Sequence, residues 1–322
     1  LDLPLDGGAM TGRADLASGD LGAIVPLGNS GTGGRLDGIL RLGPGQSGQG
    51  LTADLALQNL EAGGAQVAQA DVTAQLDDLL AAPAGTITLD LADAQSGGLK
   101  LASAQLGISG GLADADLALR AQGDVYGPLE LAADARLTQD GGTRRLRLTR
   151  FDATVQDREL ALARPAVLEQ GPDGMRVRDF TLRANGGTAA LTLAQTAERI
   201  DATLTLDALP AALANLALAE PKLTGALNGE VTLQGPLDAP RADWTLTADK
   251  LTATETDLPP LTARVTGELA DGRLSTEARV TGLSDTPLRL EAALPLRASL
   301  DPVAIAPEPD APLSGSLRWQ GE

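Results

Sequence analysis

Apolar and polar side chains alternate with a period of two along most of this chain. The segments LTADLAL (51–57), LELAADARL (129–137) and ATLTL (202–206) place apolar residues at alternate positions. Alternate positions on a β-strand share one face, so each segment predicts a strand with one apolar and one polar face. Because an apolar face has to be buried against something, the question of function becomes what covers it.

Short turn signals separate the alternating segments. They are the dipeptides Gly63-Gly64, Gly97-Gly98, Gly110-Gly111, Gly141-Gly142, Gly186-Gly187 and Asp271-Gly272. Such dipeptides between alternating runs indicate hairpins, so neighbouring strands should be mostly antiparallel. Roughly 20 strands fit, and an open sheet of that size tends to curl. We therefore predict an all-β fold, a long, curled, mostly antiparallel open sheet that forms a groove.

Helical signals are few and short. One or two helical turns are predicted at 77–82 (DDLLAA) and at 210–218 (PAALANLAL), where Pro stands at the helix start. Neither helix is long enough to cover the predicted sheet. The pattern shows no sharp domain boundary, so 1–322 is interpreted as one continuous elongated segment. Residues 302–312 (PVAIAPEPDAP) form a Pro-rich connector to a further strand beginning near Leu313.

Composition narrows the possible functions. Of the 322 residues 43% are hydrophobic, but only 2% are aromatic. A compact sandwich or barrel would use more aromatic side chains to fill the space between its layers. The chain has no His and no Cys, which removes imidazole catalysis, thiolate nucleophiles, disulfides and the usual structural zinc sites. We therefore expect a protein that is not an enzyme and that has no metal or other cofactor.

The charge of the chain bears on its partners and its location. A net charge of −18 and a pI near 4.3 argue against nucleic acid and disfavour anionic membrane surfaces. No stretch approaches the ~20 apolar residues of a spanning helix, and no signal peptide opens the chain. Because the chain begins at Leu1 with strand-like sequence soon after it, we expect an excerpt of a longer protein whose membrane anchor lies outside it.

Five groups of residues superficially resemble functional sites. The loop 43–50 (GPGQSGQG) resembles a phosphate-binding loop but lacks the Lys-Ser or Lys-Thr that holds phosphate and metal, so it is interpreted as a turn. The segment 143–150 (TRRLRLTR) is basic, with Arg145 and Arg147 opposite Leu146 and Leu148. Three acidic pairs occur: Asp77 with Asp78, Asp114 with Asp116, and Glu308 with Asp310. Solvated strand faces and loops explain the basic segment and the three pairs best.

Three stretches carry a resemblance to a known family. They are 160–167 (LALARPAV), 204–240, which contains DALPAAL at 207–213 and VTLQGPLDAP at 231–240, and the paired strand pattern of 258–280. Together they cover under a third of the chain, and they resemble the TamB family, the inner-membrane-anchored component of the translocation and assembly module. More broadly they are similar to AsmA-like and chorein-type bridge lipid-transfer proteins.

The resemblance implies a hydrophobic groove that carries phospholipid acyl chains through the periplasm between the inner and outer membranes. It also implies anchoring to the inner membrane and an outer-membrane barrel of the TamA type as a partner. The alternating pattern supports the chemistry of this idea, since acyl chains need a dry lining without fixed polar groups. The candidate lining residues are Leu204, Leu206, Val231, Leu233, Trp244, Leu246, Leu261, Val265, Leu288 and Leu290.

Two further hypotheses remain open at this point. An exposed sheet edge could template incoming strands, which would make the protein an assembly or secretion factor for outer-membrane β-barrel or autotransporter proteins. A closed core with regularly stacked coils would instead make it a secreted β-solenoid adhesin, although the irregular strand spacing argues against this.

Overall fold

The alternating pattern folds into strands, as the sequence predicts. A computed structural model describes residues 9–19, 33–125, 127–156, 158–216, 223–254, 258–307 and 314–319. The fold is all-β, with a long antiparallel sheet of 21 strands. Contacts divide the chain into two compact units, Leu1–Arg158 and Glu159–Glu322, and each is described separately below.

The first unit is an up-and-down meander in which each strand pairs antiparallel with the next strand in the chain. Its strands are β1 (Gly12–Ser18), β2 (Gly33–Pro44), β3 (Gln49–Ala62), β4 (Ala65–Asp77), β5 (Ala84–Ser96), β6 (Leu99–Gly111), β7 (Asp114–Val125), β8 (Pro128–Asp140) and β9 (Thr143–Val155).

The second unit continues in the same style. Its strands are β10 (Arg158–Leu162), β11 (Ala166–Gly171), β12 (Gly174–Ala184), β13 (Gly187–Gln195), β14 (Arg199–Pro210), β15 (Leu223–Pro236), β16 (Arg241–Ala253), β17 (Leu261–Ala270), β18 (Arg273–Thr281), β19 (Leu288–Leu300), β20 (Val303–Pro307) and β21 (Ser314–Arg318). Strands β12 to β19 pair in chain order. The short strands β10 and β11 pair with different parts of β12, and β20 and β21 pair with different parts of β19.

One of the two predicted short helices forms, and the other does not. Within 210–218, Ala211–Leu216 forms a 3₁₀ helix. The helix predicted at 77–82 does not form. Residues 78–81 form a turn, in which the backbone amides of Ala81 and Ala82 donate hydrogen bonds to the Asp78 carbonyl.

The Pro-rich segment 302–312 is partly a strand, β20, and a further strand begins close to Leu313, at Ser314. Residues 308–313, including Glu308 and Asp310, lie outside the described residues.

Burial within the described residues is shallow. Fifteen hydrophobic residues are buried, and ten of them are Ala; only Leu162 and Leu237 are buried leucines. Among the described residues a buried cluster joins Ile200 and Ala202 of β14 with Leu237, which follows β15. A domain with two packed layers would bury its large aliphatic side chains instead. The leucines of these strands therefore remain largely half-exposed.

Candidate functional site

The apolar side chains of the second unit lie in rows that run across its strands. Directly paired residues of an antiparallel sheet share a face. One row comprises Leu206, Gly229, Leu246, Val265, Ala278, Leu290 and Leu317. A second comprises Leu204, Val231, Trp244, Gly267, Thr276, Ala292 and Gly315. A third comprises Ala202, Leu233, Ala242, Leu269, Leu274 and Leu294.

A fourth row comprises Leu209, Leu227, Ala248, Ala263, Val280 and Leu288. The remaining candidate residue, Leu261, pairs with Leu251 beside this row. The register therefore brings all ten candidate residues from the sequence onto one side of the sheet, which we call the apolar face. Nine of the ten are half-buried, and Leu290 is 42% exposed.

Two β-bulges restore the register of the rows at positions where the alternation of apolar and polar residues is interrupted. The ladder skips from Leu206 to Leu209 in β14 and from Ala248 to Leu251 in β16. The extra residues include Ala208 and Lys250, with positive φ values of 47° and 49°, which is an uncommon conformation for a residue other than Gly. Each bulge adds a residue, so the next apolar side chain returns to the same face.

The bulge in β14 is held by a side chain from the next strand. The Asn228 Oδ1 atom accepts a hydrogen bond from the Ala208 backbone amide at 2.7 Å. The Asn228 Nδ2 group donates to Asp249 Oδ2 at 2.9 Å, which fixes the amide orientation. This contact satisfies the amide of a residue that has left the regular ladder.

The first unit has an apolar face of the same kind. One of its rows comprises Gly38, Leu55, Val72, Leu89, Leu106, Leu119, Ala133 and Phe151. Another comprises Leu40, Ala53, Ala74, Ile87, Ile108, Leu117, Ala135 and Leu148. None of these residues is among the sequence candidates, although the alternation in 51–57 already signals the face.

The polar face of the first unit carries solvated ion pairs. Arg41 Nη1 lies 3.1 Å from Asp54 Oδ2, and Arg120 Nη2 lies 2.9 Å from Asp134 Oδ1. Arg136 contacts both Asp114 and Asp116. The hydrogen bond to Asp114 raises the pKa of Arg136 above its usual value. Arg136 from the neighbouring strand β8 thus partly compensates the charge of Asp114 and Asp116, as expected for a solvated strand face.

The loop 43–50 forms a turn, and the arginines of the basic segment 143–150 face solvent. In the loop 43–50 the Gly45 amide donates to the Gly48 carbonyl at 2.7 Å, and the Gln46 amide donates to Asp77 Oδ1 at 3.2 Å, as in a turn. Arg145 and Arg147 are exposed on the face opposite Leu146 and Leu148. No group of three or more potential metal ligands occurs in the part of the chain that the structure describes.

A cavity of about 790 Å³ lies in the second unit. Its lining includes five carboxylates, from Glu230, Asp243, Glu268, Glu277 and Glu291, and no Lys or Arg. The sequence analysis did not identify this cavity, because its lining depends on how six strands align. The lining also includes residues of the second row of the apolar face, namely Trp244, Gly267, Thr276, Ala292 and Gly315.

The 3₁₀ helix is attached at the start of β15. The Asn215 side chain is buried, and its Nδ2 group donates to the Leu223 carbonyl at 2.9 Å. Its Oδ1 atom accepts from the Leu223 amide at 2.7 Å. Both bonds join the helix to the first residue of that strand, so Asn215 anchors the helix at a strand end.

Comparison of the chain with protein families, with curated proteins and with solved structures finds no match. Among the described residues, no helix has the length and apolar character needed to cross a membrane.

Proposed function

We propose that this chain is a non-enzymatic segment of a periplasmic bridge that carries phospholipid between the inner and outer membranes along its apolar face. The observation that carries the proposal is the combination of continuous apolar rows with shallow burial. The rows cross eight of the nine strands of the first unit and six or seven of the twelve strands of the second unit, yet only two leucines of the described residues are buried.

The chemistry of the rows suits acyl chains. Transfer of each CH₂ group from water to an apolar surface contributes about 0.8 kcal/mol. In the rows of the second unit the side chains are aliphatic, with Trp244 and Thr276 as the exceptions. The Thr276 hydroxyl donates to the Thr266 carbonyl at 3.1 Å, so its polar group is satisfied within the sheet. A hydrocarbon chain would meet no unsatisfied polar group there.

The repetition of the rows favours movement over tight binding. Adjacent strands of a sheet lie about 4.8 Å apart, and each strand offers the same kind of aliphatic surface. A chain that moves by one strand exchanges one set of contacts for an equivalent set. A conduit needs such weak, repeated sites. Anchoring to the inner membrane and docking to a TamA-type barrel are proposed with this role on the strength of the sequence resemblance.

The two other hypotheses have less support. An assembly factor would offer a long free edge strand, whereas β21 has five residues and pairs only with β19 among the described strands; short edges discourage strand addition. A β-solenoid adhesin would stack repeated coils around a closed core. The described strands form an antiparallel meander instead.

Native mass spectrometry of the intact chain, purified from the periplasm of a Gram-negative host, tests the proposal. We expect adducts with the masses of phospholipids, and their loss when detergent is added as a competitor for hydrocarbon. A chain that carries no lipid before detergent treatment would contradict the proposal.

A further inference from the structure

Four arginines form a row on the polar face of the second unit, the face opposite the apolar rows. Each arginine is directly paired with the next one across β17, β18, β19 and β21, and all four are exposed. The members of this arginine row are Arg264, Arg279, Arg289 and Arg318. Directly paired residues of neighbouring strands lie about 5 Å apart, and like charges at that distance destabilise a sheet. The arginine row is therefore unfavourable for the isolated chain.

Two glutamates lie beside the arginine row on the same face. Glu277 stands two residues before Arg279 on β18. Glu291 stands two residues after Arg289 on β19. Residues two positions apart on a strand share a face at a distance of about 7 Å. These two residues, which we call the glutamate pair, are exposed and directly paired with each other, so they too place like charges opposite one another.

Ion pairs among the described residues do not compensate these charges. Elsewhere in the second unit arginines do find carboxylates, as Arg241 does with Asp271 at 2.7 Å. None of the four members of the arginine row forms an ion pair within the described part of the chain. The Glu291 carboxylate accepts a hydrogen bond from the neutral Ser316 hydroxyl at 3.4 Å. Both groups of charges therefore face outward with their charge uncompensated.

The arginine row and the glutamate pair are complementary to a second copy of themselves. A twofold axis that runs parallel to the row, midway between the two groups, places the arginines of one copy opposite the glutamates of the other. Arg279 then faces Glu277 of the partner subunit. Arg289 likewise faces Glu291 of the partner subunit, and symmetry repeats both contacts. A simple polyanion would match the arginines but would be repelled by the glutamates, whereas a second copy satisfies both.

We propose that the polar face of β17, β18 and β19 is a self-association surface through which two copies of this chain form a twofold dimer. The inference goes beyond the proposed function and does not depend on it, since the apolar face stays uncovered in such a dimer. The net charge of −18 opposes association at long range. At an ionic strength of about 0.15 M, however, charges more than about 8 Å apart are largely screened, while charges in contact are screened less.

Sedimentation velocity of the intact chain tests the dimer and its electrostatic origin. We expect a dimer at an ionic strength of about 0.15 M and a monomer at about 1 M, where charges are screened within about 3 Å. A dimer that persists at about 1 M would be held by apolar contacts and would overturn the proposal. A chain that is monomeric under both conditions would also overturn it.

Charge reversal tests the surface itself. The variant Arg279→Glu with Arg289→Glu and the variant Glu277→Arg with Glu291→Arg should each be monomeric, because like charges then face each other across the axis. An equimolar mixture of the two should form a dimer, since one copy now presents only carboxylates there and the other only guanidinium groups. A mixture that stays monomeric, or a single variant that dimerises as well as the wild type, would contradict the surface.

Two further variants control for net charge and for folding. Arg176→Glu with Arg183→Glu makes the same change in net charge at exposed positions of β12, and this variant should still dimerise. Arg279→Gln with Arg289→Gln removes the two positive charges without adding negative ones, so it tests the contact even if the charge-reversed chains fail to fold. It should keep the circular dichroism of the wild type and be monomeric, and a dimer of this variant would overturn the proposal.

Discussion

Replacing Leu233 and Leu246 together by Asp lowers the phospholipid bound per protein by at least about tenfold, equivalent to more than about 1.4 kcal/mol of binding free energy. The two residues lie on the adjacent strands β15 and β16, in the third and first rows of the apolar face, with the second row between them. An acyl chain that covers either position would bury a carboxylate without a partner, which costs several kcal/mol. The measurement is lipid occupancy by native mass spectrometry.

A matched control separates loss of lipid from loss of strand structure. Gln234→Asp with Thr247→Asp adds the same two charges to the same strands on the polar face, where Gln234 pairs with Arg241 and Thr247 with Arg264. The control should retain its phospholipid. If both double variants lose lipid to the same extent, the apolar face is not the binding surface, and if neither loses it, acyl chains do not lie across β15 and β16.

Replacing Gly229 by Val destabilises the second unit by about 3 kcal/mol or more, or prevents it from folding. Gly229 lies between Leu206 and Leu246 in the first row described, with φ at 145°. A Cβ atom there would be 2.0 Å from the Thr245 carbonyl oxygen. Chemical denaturation followed by circular dichroism measures the loss. The close approach of β15 and β16 therefore depends on this glycine.

Gly43→Val is the control for Gly229→Val. A Cβ atom built on Gly43 meets nothing within 4 Å, and its φ is not in the left-handed region. Its stability should change by no more than about 0.5 kcal/mol. If the two substitutions reduced stability equally, the steric clash between a side chain at position 229 and the Thr245 carbonyl oxygen would not be what limits the stability of the sheet.

The face of each strand could be predicted from the sequence, because a period of two assigns side chains to faces without any knowledge of partners. All ten candidate residues accordingly lie on one face of the second unit. Strand pairing in chain order also follows from the short Gly-rich turns. The 3₁₀ helix at 211–216 agrees with the Pro at its start.

A bulge, a cavity and a short strand could not be predicted, because they depend on contacts between strands that the local sequence does not indicate. The bulge at Ala208 requires the Asn228 side chain from β15, and Ala is not a residue that favours positive φ. The cavity lined by Glu230 and Glu291 forms only when strands that carry residues 61 positions apart in the chain align. Residues 303–307 form a strand because they pair with β19. The Pro-rich composition of this segment gave no indication of a strand.

Photo-crosslinking at neighbouring positions of β14 tests the central claim most directly. Leu206 points to the apolar face, and Thr205, the residue before it, points to the polar face and pairs with Glu230. A photoreactive benzophenone amino acid at position 206 should capture phospholipid in the periplasm, and the same group at position 205 should capture at least about tenfold less, since side chains alternate between faces. Equal capture at the two positions, or capture of barrel strands and no lipid at position 206, would contradict a lipid-carrying apolar face.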